Sequence, residues 1–505
     1  MKIGSFAKLL LMAAPLLAGC GDFWQQQSGN GSFSLSNSAN ISIAASSSGT
    51  STITVTPLNS FTGTVSLTCA ITSAPSSNSS PTTCALYPTS VSITDTTAQT
   101  ATLTATSGTS TGTYDIEVTG TSSNLSPVNT TLCVEVGTGT CTAASSTSGN
   151  FYILNGPTTT SGNSTISGYY LSSGALTAIS GGSSTVLGTA RAVAIAPNGK
   201  FLYTASSNGT YLYSITNGVL GTGVQVTQNQ AYALQVDTTD SWLVEAIPVS
   251  GEATFNALPI NSTTGASAGT GSPASYSVSN AEMQTGQMVI SRDDKYIFVA
   301  LGAGGTIVVP FNSSPATGTS PFGTAKTIPV ANTTTPGIAL SVAVDPNTTP
   351  RLFYIGETWA GSSNTTGGLR AFTYASLGAS SLVQASGSPI ASGGLSPLSI
   401  LPDASGNYVY VANGTGATTE GNITEFLVTG SGSPYTIAAS TSTSVATGAL
   451  PASLAEDSTS SYVFEVGSSG SPYFDAYTIG SSTGQLTSQA TSTPAATSIA
   501  IVTAQ

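Results

Sequence analysis

The 505-residue sequence contains no histidine, and its 9 lysines and arginines face 21 aspartates and glutamates. Without histidine the chain lacks both the commonest general base and the commonest metal ligand. Two of the nine cations, Lys2 and Lys8, lie at the extreme N-terminus, and the others are scattered. Nucleic acid and anionic lipid surfaces are gripped by clustered Lys or Arg, so no nucleic-acid partner is expected. Charged residues make up 6% of the chain, against roughly 25% in a typical soluble domain. Low charge signals disorder only where hydrophobicity is low as well. Here 39% of residues are hydrophobic and alternate with Ser, Thr and Gly, which is enough apolar surface to build cores. No helical period is sustained beyond the first twenty residues. A P-loop, a G-x-G-x-x-G leading into a helix, an H-E-x-x-H and a G-x-S-x-G elbow with a histidine partner are all missing. No cofactor or metal is therefore expected.

Residues 1–20 read as an export signal, with Lys2 and Lys8 followed by an apolar run from Leu9 to Leu17 that is too short to span a bilayer. Leu17-Ala18-Gly19-Cys20 resembles the lipobox of bacterial lipoproteins, in which the cysteine is acylated and becomes the new N-terminus. The resemblance implies a chain anchored in the lipid bilayer through Cys20, at the cell envelope, periplasmic or surface-exposed. Acyl chains contribute about 0.8 kcal/mol per buried CH₂. Residues 21–31 would then form a tether. Four cysteines remain, Cys69, Cys84, Cys133 and Cys141, an even number in an exported chain and so an expected pair of disulfides. Cys69–Cys84 with Cys133–Cys141 is the simplest of three connectivities. No C-x-x-C pair points to a zinc site instead.

From 32 to 137 short alternating runs follow one another: Ile41–Ala45, Thr52–Thr56, Thr64–Ile71, Ser90–Thr94, Ala101–Thr106, Thr113–Thr119 and Val128–Val136. Val65, Leu67, Cys69 and Ile71 share one face at period two, as do Tyr114, Ile116 and Val118, which predicts sheets with one buried face. Seven short strands in this span suit a β-sandwich. Through Phe61-Thr-Gly-Thr-Val-Ser-Leu-Thr-Cys69 and Gly112-Thr-Tyr-Asp-Ile-Glu-Val118 the segment resembles bacterial Ig-like modules, which implies a spacer. Cys133 has the opposite parity to Leu132, Val134 and Val136, so its bridge is expected outside the core, clamping a linker over 138–150.

The rest of the chain, 151–505, repeats itself. Ala192-Val-Ala-Ile-Ala-Pro-Asn-Gly-Lys-Phe-Leu-Tyr-Thr-Ala205 returns as Gln287-Met-Val-Ile-Ser-Arg-Asp-Asp-Lys-Tyr-Ile-Phe-Val-Ala300, and again at Ala233–Ala246, Ser341–Gly356, Leu398–Ala412 and Ser453–Val466. Each copy is an apolar strand, a turn rich in Pro, Asn, Asp, Gly or Ser, and a second apolar strand with aromatics. Spacings of roughly 40 to 57 residues match the four-stranded blade of a β-propeller. Thr497–Val502 looks like a first strand without a second, and Phe151-Tyr-Ile-Leu154 like a second without a first. Joined, they predict a seventh blade closed by strands from both ends, which would hide the exposed sheet edges. The expected fold is all-β: a sandwich followed by a seven-bladed propeller. The turn acids Asp237, Asp240, Asp293, Asp294, Asp345, Asp403, Glu456 and Asp457 are read first as turn-formers.

At Pro197-Asn-Gly-Lys-Phe-Leu-Tyr203 and Tyr408-Val-Tyr-Val-Ala-Asn413 the chain resembles the lactonase-like and YVTN-type seven-bladed propellers. That family includes hydrolases of phosphogluconolactone and related lactones, and its resemblance implies polar groups at the axial mouth. Arg191 and Glu282 are the catalytic candidates there, with Gln230, Tyr232 and Gln284 as polar neighbours. Glu357 and Arg370, flanking Trp359, form a second candidate pair. Because the family's histidine has no counterpart here, the expected role is a non-catalytic scaffold for a protein or glycan ligand, with lactone hydrolysis as the alternative.

Overall fold

The computed structural model describes residues 32–504 apart from 38–40, 59–60, 76–81, 96, 124, 126–127, 138–148, 158–161, 173–174, 217, 332–336, 359–366, 380, 415–420, 431–434, 441–443, 448–449, 469–472, 481–482 and 493–496. The expected leader, tether and Cys20 lie outside the described residues, as do Cys141 and Trp359.

Two sheets share the N-terminal core. One pairs Ser32–Asn37, Ser48–Leu58, Gln99–Thr106 and Thr83–Tyr87 in that order; the other pairs Ile41–Ile43, Val128–Val136, Gly112–Thr121, Gly63–Ser73 and Ser90–Ile93. Alternation decides which side chains enter: Val65, Leu67, Tyr114, Ile116, Val118, Leu132 and Val134 are all buried in one cluster. Cys69 stands half-buried at its rim and is bridged to Cys84, which joins one sheet to the other. Strands Ser32–Asn37 and Thr83–Tyr87 go beyond the seven expected. Ser32–Asn37 alternates Ser with the buried Phe33 and Leu35, a pattern present in the sequence but overlooked, whereas Thr83–Tyr87 is five residues of weak alternation. Cys133 is disulfide-bonded and faces away from the core that holds Leu132 and Val134.

From Phe151 onward the strands form consecutive antiparallel sheets. Six open with the strands Ala190–Ile195, Ala233–Val236, Met288–Ile290, Ala339–Val344, Ser396–Pro402 and Pro451–Glu456 and are called sheets I to VI here. The second strand of each is Phe201–Ser206, Trp242–Val249, Tyr296–Ala300, Leu352–Thr358, Tyr408–Gly414 and Tyr462–Gly467. A closing sheet takes its first strand, Ser498–Thr503, from the far end of the chain and adds Phe151–Asn155, Ser164–Ser172 and Ala175–Val186. Its register sets Phe151 opposite Thr503, Tyr152 opposite Val502, Ile153 opposite Ile501 and Leu154 opposite Ala500. The pairing expected between the two chain ends is therefore present. First strands touch one another in succession, and Ser498–Thr503 touches both Pro451–Glu456 and Ala190–Ile195, so the sheets form a closed ring.

Side-chain size follows position in that ring. First strands carry Ala, Val, Leu and Ile where sheets crowd the axis, and second strands carry rings where the sheets diverge. Phe298 lies 5.0 Å from Phe353 across the seam between sheets III and IV, and Phe151 lies 4.4 Å from Phe464 across the closing seam. These aromatics fill cores between sheets, as their repeated place in the sequence predicts.

In five of the six sheets the turn between first and second strands holds one residue in left-handed conformation. Gly199, Asp240, Asp294, Gly406 and Ser460 occupy the same place in five repeats, with φ between 52° and 67°. A non-glycine residue there costs about 1–2 kcal/mol. At Gly406 an added Cβ would also strike the guanidinium of Arg351, which donates to the Gly406 carbonyl. Gly406→Ala is expected to destabilise the protein by about 2 kcal/mol, and Ser460→Gly to raise its thermal midpoint. Thermal unfolding of the two variants checks the pair of opposite signs.

Candidate functional site

The ring has two ends. At one end the first strands begin, and here the candidate Arg191 is half-buried. Its guanidinium lies 4.7 Å from the ring centroid of Tyr232 and donates to the Gln230 carbonyl at 3.1 Å. The predicted neighbours Gln230 and Tyr232 are thus brought to Arg191. Glu282 is not: it is exposed, its carbonyl accepts from Gln284 Nε2 at 2.8 Å, and no ion pair joins it to Arg191 among the described residues. Gln287 Nε2 reaches past sheet IV to donate to the Leu398 carbonyl of sheet V at 3.1 Å. Next to it, Ser341 Oγ donates to the Pro397 carbonyl, and Ser399 Oγ accepts from the Leu454 N–H. The two serine bonds sew adjacent first strands together, and the Gln287 bond spans from sheet III to sheet V.

Toward the other end the axis holds a cavity of about 190 Å³. Val193, Ile195, Leu234, Val236, Ile290 and Val502 supply its aliphatic walls, while Gln235, Thr238 and Arg292 bring the polar side chains. Thr238 is committed already, since its hydroxyl and its N–H both donate to the Asp294 carboxylate, at 2.5 and 3.0 Å. The lining contains no carboxylate and one ionisable side chain, Arg292. Ligand pockets are commonly about 300–1,000 Å³, so this cavity suits a group smaller than a phosphorylated sugar lactone.

The turn acids do what their repeated position implied. Asp237 Oδ1 accepts from the N–H groups of Ser241 and Trp242, both at 2.7 Å. Asp403 and Asp457 accept in the same way from Tyr408 and Tyr462, and Asp345 takes Arg351 Nε at 2.7 Å. Other bonds latch each turn to the next sheet, as when the Ala404 N–H donates to Glu456 Oε2 at 2.7 Å. Burial, reinforced by the charge of Asp403, pushes the Glu456 carboxyl up to about 8.

The pair Glu357 and Arg370 is real and buried. Arg370 Nη1 donates to Glu357 Oε1 at 2.6 Å and to the Pro329 carbonyl at 2.8 Å, and the second carboxylate oxygen accepts from the Ala331 N–H at 3.0 Å. Burial raises the Glu357 carboxyl, and the arginine opposes that shift. The pair therefore ties the segment between sheets III and IV to the second and third strands of sheet IV.

Sequence reasoning overlooked two further acids, Glu245 and Glu465, which hold the same place in the second strands of sheets II and VI. Their signal was a lone glutamate inside an apolar run, Trp242-Leu-Val-Glu-Ala and Tyr462-Val-Phe-Glu-Val. Glu245 is fully buried and accepts four hydrogen bonds, from Thr210, Thr227, Asn229 and Asn256, at 2.5–2.8 Å. It clasps sheet I to sheet II.

No protein-family profile matches the chain, and no curated protein matches it in sequence. Among solved structures it is similar to a provisionally assigned 6-phosphogluconolactonase from Bacteroides uniformis, at 17% identity and a TM-score of 0.52, over 70% of this chain and 99% of that one. The chain contains a β-propeller. Lesser likenesses are to the β-propeller domain of a Myceliophteria thermophila protein (TM-score 0.40, 11% identity, 62% and 89% covered) and to hydrazine synthase of Kuenenia stuttgartiensis (TM-score 0.42, 13% identity, 66% and 93% covered). At these identities the shared property of the propeller is its fold.

Proposed function

We propose that this propeller is a non-catalytic binding or interaction scaffold, held at a bacterial cell envelope by an acylated Cys20. In this reading residues 32–137 are an Ig-like spacer, 138–150 a linker and 151–505 a seven-bladed propeller that offers a rigid face to a protein or glycan. The axial cavity carries the proposal: its walls are aliphatic, it is small, and its one ionisable side chain is Arg292. Ester hydrolysis needs a base or nucleophile beside donors aimed at the developing oxyanion, and the cavity lining offers no such base. The six consecutive sheets and the closing sheet support the blade number. Tyr114 Oη donates to the Ser110 carbonyl four residues upstream at 3.1 Å, an arrangement also found in Ig-like sandwiches, which supports the spacer.

Lactone hydrolysis is the second reading, favoured by the similarity to the Bacteroides uniformis structure. Both readings meet in one experiment on the full chain. The detergent-solubilised protein is expected to leave sugar and acyl lactones at their spontaneous rate, with or without divalent cations. Turnover that is abolished by Arg191→Ala or Arg292→Ala would establish the hydrolase instead. In the same cells Cys20→Ala is expected to lose acyl labelling and move out of the membrane fraction; a variant still membrane-bound would remove the anchor from the proposal.

A further inference from the structure

Glu245 and Glu465 stand at equivalent places, yet their surroundings are opposite. In sheet II, Glu245 pairs across the sheet with Asn256, whose amide donates to it at 2.8 Å. In sheet VI the residue in Asn256's place is Asp475, directly opposite Glu465. Sheet I presents two hydroxyl donors to Glu245, Thr210 and Thr227, which are paired with each other across their strands. In sheet V the corresponding cross-strand pair is Ile423 and Val445, which have no donor to offer. Glu465 is 0% exposed and Asp475 3%, and neither carboxyl oxygen of Glu465 meets a hydrogen-bond donor.

Among the described residues no ion pair reaches Glu465. The sequence has no Lys or Arg after Arg370 and no His at all. The titratable side chains around this seam are acids and phenols: Asp475 and Tyr477 on the neighbouring strand, Glu456 on the first strand, and Tyr408, Tyr410 and Glu425 from sheet V. Two of these phenols are spoken for, Tyr477 Oη donating to the Ala446 carbonyl and Tyr410 Oη to the Gly484 carbonyl, each at 2.7 Å. Two adjacent carboxylates at this depth cannot both be ionised, because each would lose its hydration and repel the other.

We propose that Glu465 and Asp475 share one proton, a carboxyl O–H of one donating to the carboxylate of the other, and that the seam between sheets V and VI is a clasp tight in acid and loosened in alkali. Burial first, and Asp475 second, raises the Glu465 carboxyl well above its usual range. A proton kept in the folded state above the titration of the unfolded side chain, near pH 4.3, gives stability that is complete below that pH. The stability is lost as pH rises, by up to tenfold in the folding constant per pH unit for one retained proton. The pair titrates as a unit.

The test compares the full-length protein with Glu465→Gln and Asp475→Asn across about pH 5 to pH 9, by chemical unfolding and by infrared absorption of protonated carboxyl groups. Asp475→Asn recreates the Glu245–Asn256 pairing, so it decides the matter should Glu465→Gln fail to fold. The wild type is expected to lose its folding constant with rising pH up to tenfold per unit more steeply than either variant. Its neutral-pH spectrum is expected to contain one protonated carboxyl more than that of Glu465→Gln. Equal slopes in all three proteins, a carboxyl band unchanged in Glu465→Gln, or a chelator-sensitive stability that replaces the pH dependence would overturn the proposal.

Discussion

Deleting residues 493–505 is expected to abolish the cooperative unfolding transition of the propeller. The deletion removes the strand Ser498–Thr503, whose partner strand holds Phe151, Tyr152, Ile153 and Leu154, all fully buried. Without it the ring has two open edges, one of them lined with large apolar side chains, and the contacts of Ile501 with the sheet VI core are lost. The loss is comparable to the whole stability of a domain, about 5–15 kcal/mol, because closure is shared by every sheet in the ring. Circular dichroism melts and limited proteolysis of the truncated chain check this, and addition of a peptide spanning 493–505 is expected to restore protection. A truncated protein that melts at the wild-type temperature would mean that another element closes the ring.

Arg370→Met is expected to cost about 3–5 kcal/mol, the usual consequence of leaving half of a buried ion pair behind. Arg370 is 7% exposed and Glu357 1%, so water cannot replace the lost guanidinium. Glu357 would respond by taking up a proton. Its carboxyl is already raised by burial, and without the opposing arginine it rises further. The sign follows: below the unfolded carboxylate range the variant loses the bond alone, and as pH rises the cost of ionising or neutralising Glu357 is added. The destabilisation should therefore be greater at pH 8 than at pH 5 in urea unfolding. The double variant Glu357→Gln, Arg370→Met should recover much of the loss, since no buried charge remains. Equal destabilisation at both pH values would show that Glu357 is not the group left unpaired.

Much of the architecture was legible in the repeat. Small branched residues in first strands, rings in second strands and polar turns between them are local requirements of a sheet packed around an axis, so they recur with every sheet. The turn residues Asp237, Asp403 and Asp457 were legible for the same reason. The candidate site was less so. Arg191 and Tyr232 lie 41 residues apart in sequence and meet only because their first strands are neighbours, whereas Glu282, chosen on the same grounds, turns to solvent. Strand Thr83–Tyr87 was missed because five residues of weak alternation carry little pattern, and its place is set by pairing with Gln99–Thr106 and by the bridge from Cys84.

By itself the sequence determined the all-β class, the repeating unit, the complementary chain ends and the scarcity of cations, since each is written in residue type and spacing. Tertiary structure alone decided which buried acids are satisfied. Glu245 and Glu465 are the same residue at the same place in the repeat, and nothing in their own strands separates them. What differs is the facing sheet, Thr210 and Thr227 in one seam and Ile423 and Val445 in the other, together with Asn256 against Asp475. Hydrogen bonds to a buried carboxylate come from groups distant in sequence, so the charge state of such an acid is settled only when the sheets meet.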